Sequence, residues 1–162
     1  MGCDFCDTKY AFAAGKPMNR LQILVELANY PCKTVVITGG EPTEQDLPAL
    51  MTALKSAGHI IHLETNGARD CDVSQADFIC VSPKKTVAKE MLQKADVIKL
   101  VIGQQTDLKD VEKYYPYENE KTTLYLQPES NLQENITLCL QLVKQHPSAR
   151  LSVQLHKMLN VK

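Results

Sequence analysis

Strand-like runs that alternate with helix-like stretches along the chain limit its fold more than any other feature. Residues 34–38 (TVVIT) form a β-branched run that stops at Gly39-Gly40. Residues 43–57 follow with Leu47, Leu50, Met51 and Leu54 at helical spacing and Thr43 with Asp46 as a start signal. Gly58 closes that helix and leads into 59–64 (HIIHLE), which alternates as a half-buried strand does. The pattern continues with strand 78–81 (FICV), helix 86–94, strand 97–102 (VIKLVI) and helix 107–114. Strand 122–126 (TTLYL), helix 131–145 with Ile136, Leu140 and Val143 on one face, and strand 150–155 (RLSVQL) complete it. A further helix over 19–30 precedes the first strand. This order predicts right-handed parallel crossovers and hence an α/β fold. No repeat, low-complexity tract or linker divides residues 1–162, and the polar stretch 114–123 reads as a loop within one domain.

Composition narrows the function classes. The 162 residues carry 18 basic and 19 acidic side chains, so a net charge of −1 gives no basic field for a nucleic-acid backbone. No apolar run approaches the roughly 20 residues of a membrane span, and no basic-then-apolar leader opens the chain. The expectation is a cytoplasmic protein of ordinary globular composition.

In α/β folds functional groups gather at the carboxyl ends of the strands. Those ends here carry Thr38-Gly39-Gly40-Glu41-Pro42, Glu64-Thr65-Asn66-Gly67, Ser82-Pro83-Lys84 and Gln127-Pro128-Glu129. Each alone has an ordinary reading: a tight turn at the glycine pair, a turn at Asn66-Gly67, a bend at Ser82-Pro83 and a solvated Lys84-Lys85 pair. Four polar, turn-forming segments at successive strand ends point instead to one shared pocket. His59 and His62 lie three apart on a strand and face opposite sides, which makes them poor partners for one metal. Lys99 stands inside an apolar strand, where an unpaired ammonium is costly, so it must enter a polar pocket or reach water at the rim.

Six cysteines without a signal peptide do not describe a secreted disulfide scaffold. Cys32, Cys71, Cys80 and Cys139 are scattered and read as buried small hydrophobes. Cys3 and Cys6 form a C-x-x-C with three rival readings. A redox pair should follow a strand, a zinc site needs four ligands, and an iron–sulfur cluster needs more than two thiolates. The opening Met-Gly-Cys lacks the Ser or Thr at position six that myristoylation requires.

Taken together, Cys3-x-x-Cys6-Asp7-Thr8, Thr38-Gly39-Gly40-Glu41-Pro42, Glu64-Thr65-Asn66-Gly67, Ser82-Pro83-Lys84 and Gln154-Leu155-His156-Lys157 resemble the 7-carboxy-7-deazaguanine synthases along the whole chain. The Gly-Gly-Glu-Pro element is shared by radical S-adenosylmethionine enzymes at large; Cys-Asp-Thr and the Gln-x-His-Lys ending narrow the resemblance. It implies a partial (β/α) barrel of parallel strands, and conversion of 6-carboxy-5,6,7,8-tetrahydropterin to 7-carboxy-7-deazaguanine with loss of ammonia. A reduced [4Fe–4S] cluster would cleave S-adenosylmethionine to a radical that takes a hydrogen atom from the pterin, and the ring then contracts. The catalytic radical is thus carried by the cofactor rather than by a side chain.

The same resemblance implies residue roles. Cys3 and Cys6 would ligate the cluster, and Thr8 would contact a Mg²⁺ that also holds the substrate carboxylate. Phe5, Cys6, Asp7, Gly40 and Glu41, then Ser82, Pro83 and Lys84, and then Gln127, Pro128, Glu129 and Ser130 would line the S-adenosylmethionine site. Thr38 and the terminal carboxylate of Lys162 would touch the pterin, with Glu64 as a further polar contact. A homodimer and a reducing electron donor such as flavodoxin are implied as partners, with no nucleic acid or membrane. The departure is at the amino end, where the family's first cluster cysteine, four residues before the C-x-x-C, and its first strand have no counterpart. An amino-truncated synthase is favoured, because all four strand-end segments are kept. A remnant acting as a nucleoside-binding or structural module and a different radical S-adenosylmethionine enzyme stand as alternatives.

Overall fold

The computed structural model describes residues 15–104, 106 and 108–161. Its centre is a six-stranded, all-parallel sheet in which spatial order repeats chain order. The strands are β1 (Thr34–Ile37), β2 (Ile60–Thr65), β3 (Phe78–Val81), β4 (Val97–Ile102), β5 (Thr123–Pro128) and β6 (Arg150–Leu151). The helices are α1 (Arg20–Leu27), α2 (Leu47–Ser56), α3 (Lys89–Lys94), α4 (Leu108–Glu112), α5 (Gln133–Gln145) and α6 (Leu155–Met158). Parallel neighbours cannot be joined by a tight turn, so each crossover carries helix back across one face. Because β1 and β6 do not pair with each other, the sheet is an open arc of a barrel.

That topology divides the sheet into unlike faces. Leu47, Met51 and Leu54 of α2 bury against Ile61 and Leu63 of β2, and Cys139 and Leu142 of α5 join the same core as Leu124 and Leu126 of β5. The register puts the alternate residues of each strand on the opposite face: Val36, His62, Glu64, Phe78, Cys80, Lys99, Tyr125, Gln127 and Arg150. Parallel sheets are ordinarily covered on both sides. Here Val36 is 55% exposed and Ile60 47%, and the inner face carries an acid, bases and hydroxyl and amide groups instead of a continuous apolar run.

Several element boundaries differ from the sequence expectation, each for a local reason. The helix expected from residue 43 is a 3-10 turn at Pro42–Glu44 followed by α2 from Leu47. The Glu41 carboxylate takes both the backbone N–H and the hydroxyl of Thr43, and Pro48 has no N–H to continue a helix from there. α1 is shorter than 19–30, starting at a capping box in which Asn19 and Gln22 exchange side-chain and backbone hydrogen bonds. α3 begins at Lys89 rather than 86, because the Ala88 N–H is directed to the Gly67 carbonyl at 2.7 Å. β5 runs two residues beyond the expected 126, pairing Gln127 with Val101 and Pro128 with Ile102. β6 is two residues rather than six: the Ser152 N–H still reaches Leu126, and then Asn131 captures the backbone of Gln154. Cys80 and Cys139 are buried as expected, whereas Cys32 is exposed and Cys71 only partly covered, since both lie in connecting segments.

Candidate active site

The carboxyl ends of β1, β2, β3 and β5 lie along one rim of the sheet, and hydrogen bonds tie the segments that follow them to one another. Glu41 is the first tie. Its Oε1 accepts from the Thr43 N–H at 3.1 Å, the Thr43 hydroxyl at 2.8 Å and the Thr65 hydroxyl at 2.5 Å; its Oε2 accepts from the Asn66 N–H at 2.7 Å. This buried carboxylate joins the segment after β1 to the segment after β2. Thr38, Gly39 and Gly40 above it are exposed. Gly39 has φ +132, which favours glycine, and no heavy atom lies within 4 Å of a Cβ built on Gly40. The loop thus presents bare backbone to open space.

The next segment folds on itself. The Asn66 side chain accepts from the Ala68 N–H at 2.7 Å, and the Thr65 hydroxyl accepts from Gly67 at 3.1 Å. Gly67 has φ +66, and a Cβ there would stand 2.7 Å from Val81 Cγ1. After β3 the Ser82 N–H donates to the Thr65 carbonyl at 2.7 Å, and its hydroxyl donates to the Lys99 carbonyl at 3.0 Å. Lys84 Nζ donates back to the Ser82 hydroxyl at 2.8 Å, with Pro83 buried between them. Lys84 is therefore held at the rim, while Lys85 is exposed.

At the end of β5, Ser130 (φ 54) and Asn131 (φ 53) are both left-handed, which turns the chain sharply into α5. Glu129 lies against Gly103, where an added Cβ would stand 2.5 Å from its Oε2. Asn135, buried on α5, donates to the Glu129 carbonyl at 3.0 Å and accepts from Gln104 at 3.1 Å, locking the ends of β4 and β5 together. Asn131 donates to the Gln154 carbonyl and accepts from its N–H, so Gln154 joins the same rim. Neither asparagine stands out in the sequence. The one clue is a polar residue at position 135, one turn before Cys139 on the buried side of α5.

Below the rim, the inner face centres on Glu64 and Lys99, whose Oε2 and Nζ are 2.7 Å apart. Burial alone would push the Lys99 ammonium down, but Cys80 and the hydrogen bond to Glu64 outweigh it and hold its pKa above the ordinary lysine value. Burial pushes the Cys80 thiol up to about 12, so it is neutral near pH 7 and Glu64 is the charge facing Lys99. His62 on the same face lies tilted against Phe78 with ring centroids 5.0 Å apart, whereas Nδ1 of the buried His59 lies 3.2 Å from the Lys33 carbonyl. The two histidines share no site, as their spacing requires.

The expected cluster and metal ligands Cys3, Cys6 and Thr8, the neighbours Phe5 and Asp7, and the terminal Lys162 lie outside the described residues. Among the described residues no three His, Cys, Asp or Glu side chains gather to hold a metal, and no helix is long and apolar enough to cross a membrane. The remaining expected residues, Thr38, Gly40, Glu41, Ser82, Pro83, Lys84, Gln127, Pro128, Glu129 and Ser130, are all placed at the carboxyl ends of their strands. An uncovered glycine loop, a lysine held at the rim and an acid beside a bare Gly103 suit a polar, amino-acid-bearing nucleoside.

No protein-family model matches the chain. It is 34% identical over 165 residues to the 7-carboxy-7-deazaguanine synthase of Flavobacterium psychrophilum, covering 99% of this chain and 78% of that protein. It is 36% identical over 161 residues to the enzyme of the same name from Bacteroides thetaiotaomicron, covering 99% of this chain and 81% of the relative. Among solved structures, QueE from Escherichia coli superimposes with a TM-score of 0.77 at 26% identity, covering 94% of this chain and 80% of that one. Sequence kinship over nearly the whole chain and a shared parallel sheet agree with the motifs at its rim: the protein belongs to the 7-carboxy-7-deazaguanine synthase family.

Proposed function

We propose that this chain converts 6-carboxy-5,6,7,8-tetrahydropterin to 7-carboxy-7-deazaguanine with loss of ammonia. The observation that carries the reading is the joining of four strand-end segments over an open polar face, in a chain of this family. When bound, a [4Fe–4S] cluster and S-adenosylmethionine supply the radical chemistry. Cys3 and Cys6 would hold the cluster, with Phe5 and Asp7 beside it, and Thr8 would hold a Mg²⁺ against the substrate carboxylate.

The chain's own residues bind and orient. Gly40 admits the cofactor's methionyl end against bare backbone, and Glu41 braces that loop from beneath through its four internal donors. Lys84 and Ser82 offer a cation and a hydroxyl, and Gln127, Pro128, Glu129 and Ser130 close the opposite wall of the cofactor pocket. Thr38 from the first rim segment and Lys162 from the chain end would contact the pterin. Glu64 faces it from the inner side of the sheet. A homodimer, a flavodoxin-like reductant and a cytoplasmic setting complete the reading.

The test is anaerobic reconstitution with iron and sulfide, followed by incubation with reductant, S-adenosylmethionine, Mg²⁺ and the carboxylated tetrahydropterin. Mass spectrometry should find 7-carboxy-7-deazaguanine, in an amount that falls when Mg²⁺ is withdrawn or Thr8 is replaced by Ala. Absence of the product from a preparation that has taken up iron sinks the reading.

A further inference from the structure

We propose that Lys99 is a positioning residue for this reaction, fixing the Glu64 carboxylate as the acceptor for the donor edge of the substrate's 2-amino-4-oxo-pyrimidine ring. The inference rests on the pterin reading above and goes beyond it by assigning which part of the ring is recognised, and by what.

Lys99 and Glu64 come from strands separated by β3, and the salt bridge between them spans the inner face at its middle. The ammonium is the more covered partner, with 22% of its side chain exposed against 34% for Glu64. The cation is therefore anchored and the acid looks outward. An ionised carboxylate has about four acceptor positions, of which Lys99 and the Cys80 thiol occupy two. The remaining capacity faces the open side of the sheet. A 2-amino group and the adjacent ring N–H are two parallel donors, the pattern a carboxylate accepts in bidentate fashion. Glu64 without Lys99 would be a lone charge among Cys80, Phe78 and the strand backbones, free to swing or take up a proton. Lys99 fixes its charge and its direction together.

The test compares the reconstituted wild-type protein with Lys99→Met, Lys99→Arg, Glu64→Gln and the Glu64→Gln/Lys99→Met double variant. Calorimetry measures affinity for 6-carboxypterin and for 6-carboxylumazine, which bears oxygen in place of the 2-amino group, and urea midpoints report folding. The wild-type protein should favour the pterin by roughly tenfold or more. Lys99→Met should abolish that preference and raise the pterin KM more than it lowers kcat, and Lys99→Arg should restore most of it. The double variant removes the unpaired charge, so its stability should recover while its pterin preference does not. Recovery of both together would make the pair merely structural and overturn the proposal, as would an unchanged preference in Lys99→Met. A wild-type protein that binds pterin and lumazine equally yet makes product overturns this inference alone. One that binds neither and makes no product overturns the function reading as well.

Discussion

Glu41 has both carboxylate oxygens occupied by four donors from Thr43, Thr65 and Asn66. In Glu41→Gln one acceptor oxygen becomes an NH₂ that faces donors, so buried N–H or O–H groups lose their partner. Each such loss costs about 1–3 kcal/mol. The variant should unfold at lower urea and bind S-adenosylmethionine more weakly, because the loop carrying Gly40 loses its brace; unchanged affinity would separate the brace from the pocket. Gly67 makes a second test. A methyl there meets Val81 at 2.7 Å and Val87 at 3.2 Å, on a left-handed backbone, so Gly67→Ala should destabilise by about 1–3 kcal/mol in denaturant titration. The sequence marks both positions but not what they do. Gly39-Gly40-Glu41-Pro42 and Asn66-Gly67 read as turns with a possible pocket, whereas the hydrogen bonds from Thr65 and Asn66 to Glu41 span 24 and 25 residues. No local pattern signals a contact at that separation.

At the scale of elements, the sheet repeats one device at two of its junctions. Asp77, just ahead of β3, accepts the Ile61 N–H of β2 at 2.7 Å, and Asp96, just ahead of β4, accepts the Ile79 N–H of β3 at 2.7 Å. Each aspartate thus clips the strand that follows it onto the strand before. Asp77 also pairs with Lys55 of α2, so helix, strand and next strand meet at one carboxylate. The hydrogen bond from Ile61, followed by that from Lys55, holds the Asp77 pKa below the ordinary aspartate value. A lowered folded-state pKa stabilises the fold above the unfolded value of about 3.9 and loses that contribution as pH falls through the folded value. Asp77→Asn should therefore have a lower urea midpoint than the wild type at pH 7, and the gap should close as the pH drops from about 4 toward 2; a gap constant with pH would refute the clip. Strand and helix existence was legible throughout, because β-branched runs and helical spacing are local signals. Boundaries were legible only where a cap is local, as at Asn19. The short β6 and the late start of α3 depend on Asn131 and Gly67, which act on backbone far away in sequence.

For the whole molecule, the site was legible as four strand ends in an α/β chain, and the family resemblance rested on the same residues. The inner face was less so. Period-two alternation placed Glu64 and Lys99 in strands, but which face they share depends on the register across β3, a property of the assembled sheet. That register rests in turn on a spatial order identical to the order of synthesis. Each strand has its earlier neighbour already made when it leaves the ribosome, and no gap awaits a segment still to come. Growth then proceeds one crossover at a time upon a finished template, with short loop closures and few wrong partners. The unpaired edge passes outward with every step, uncovered for only the few seconds that translation at roughly 5–20 residues per second needs to supply the next strand.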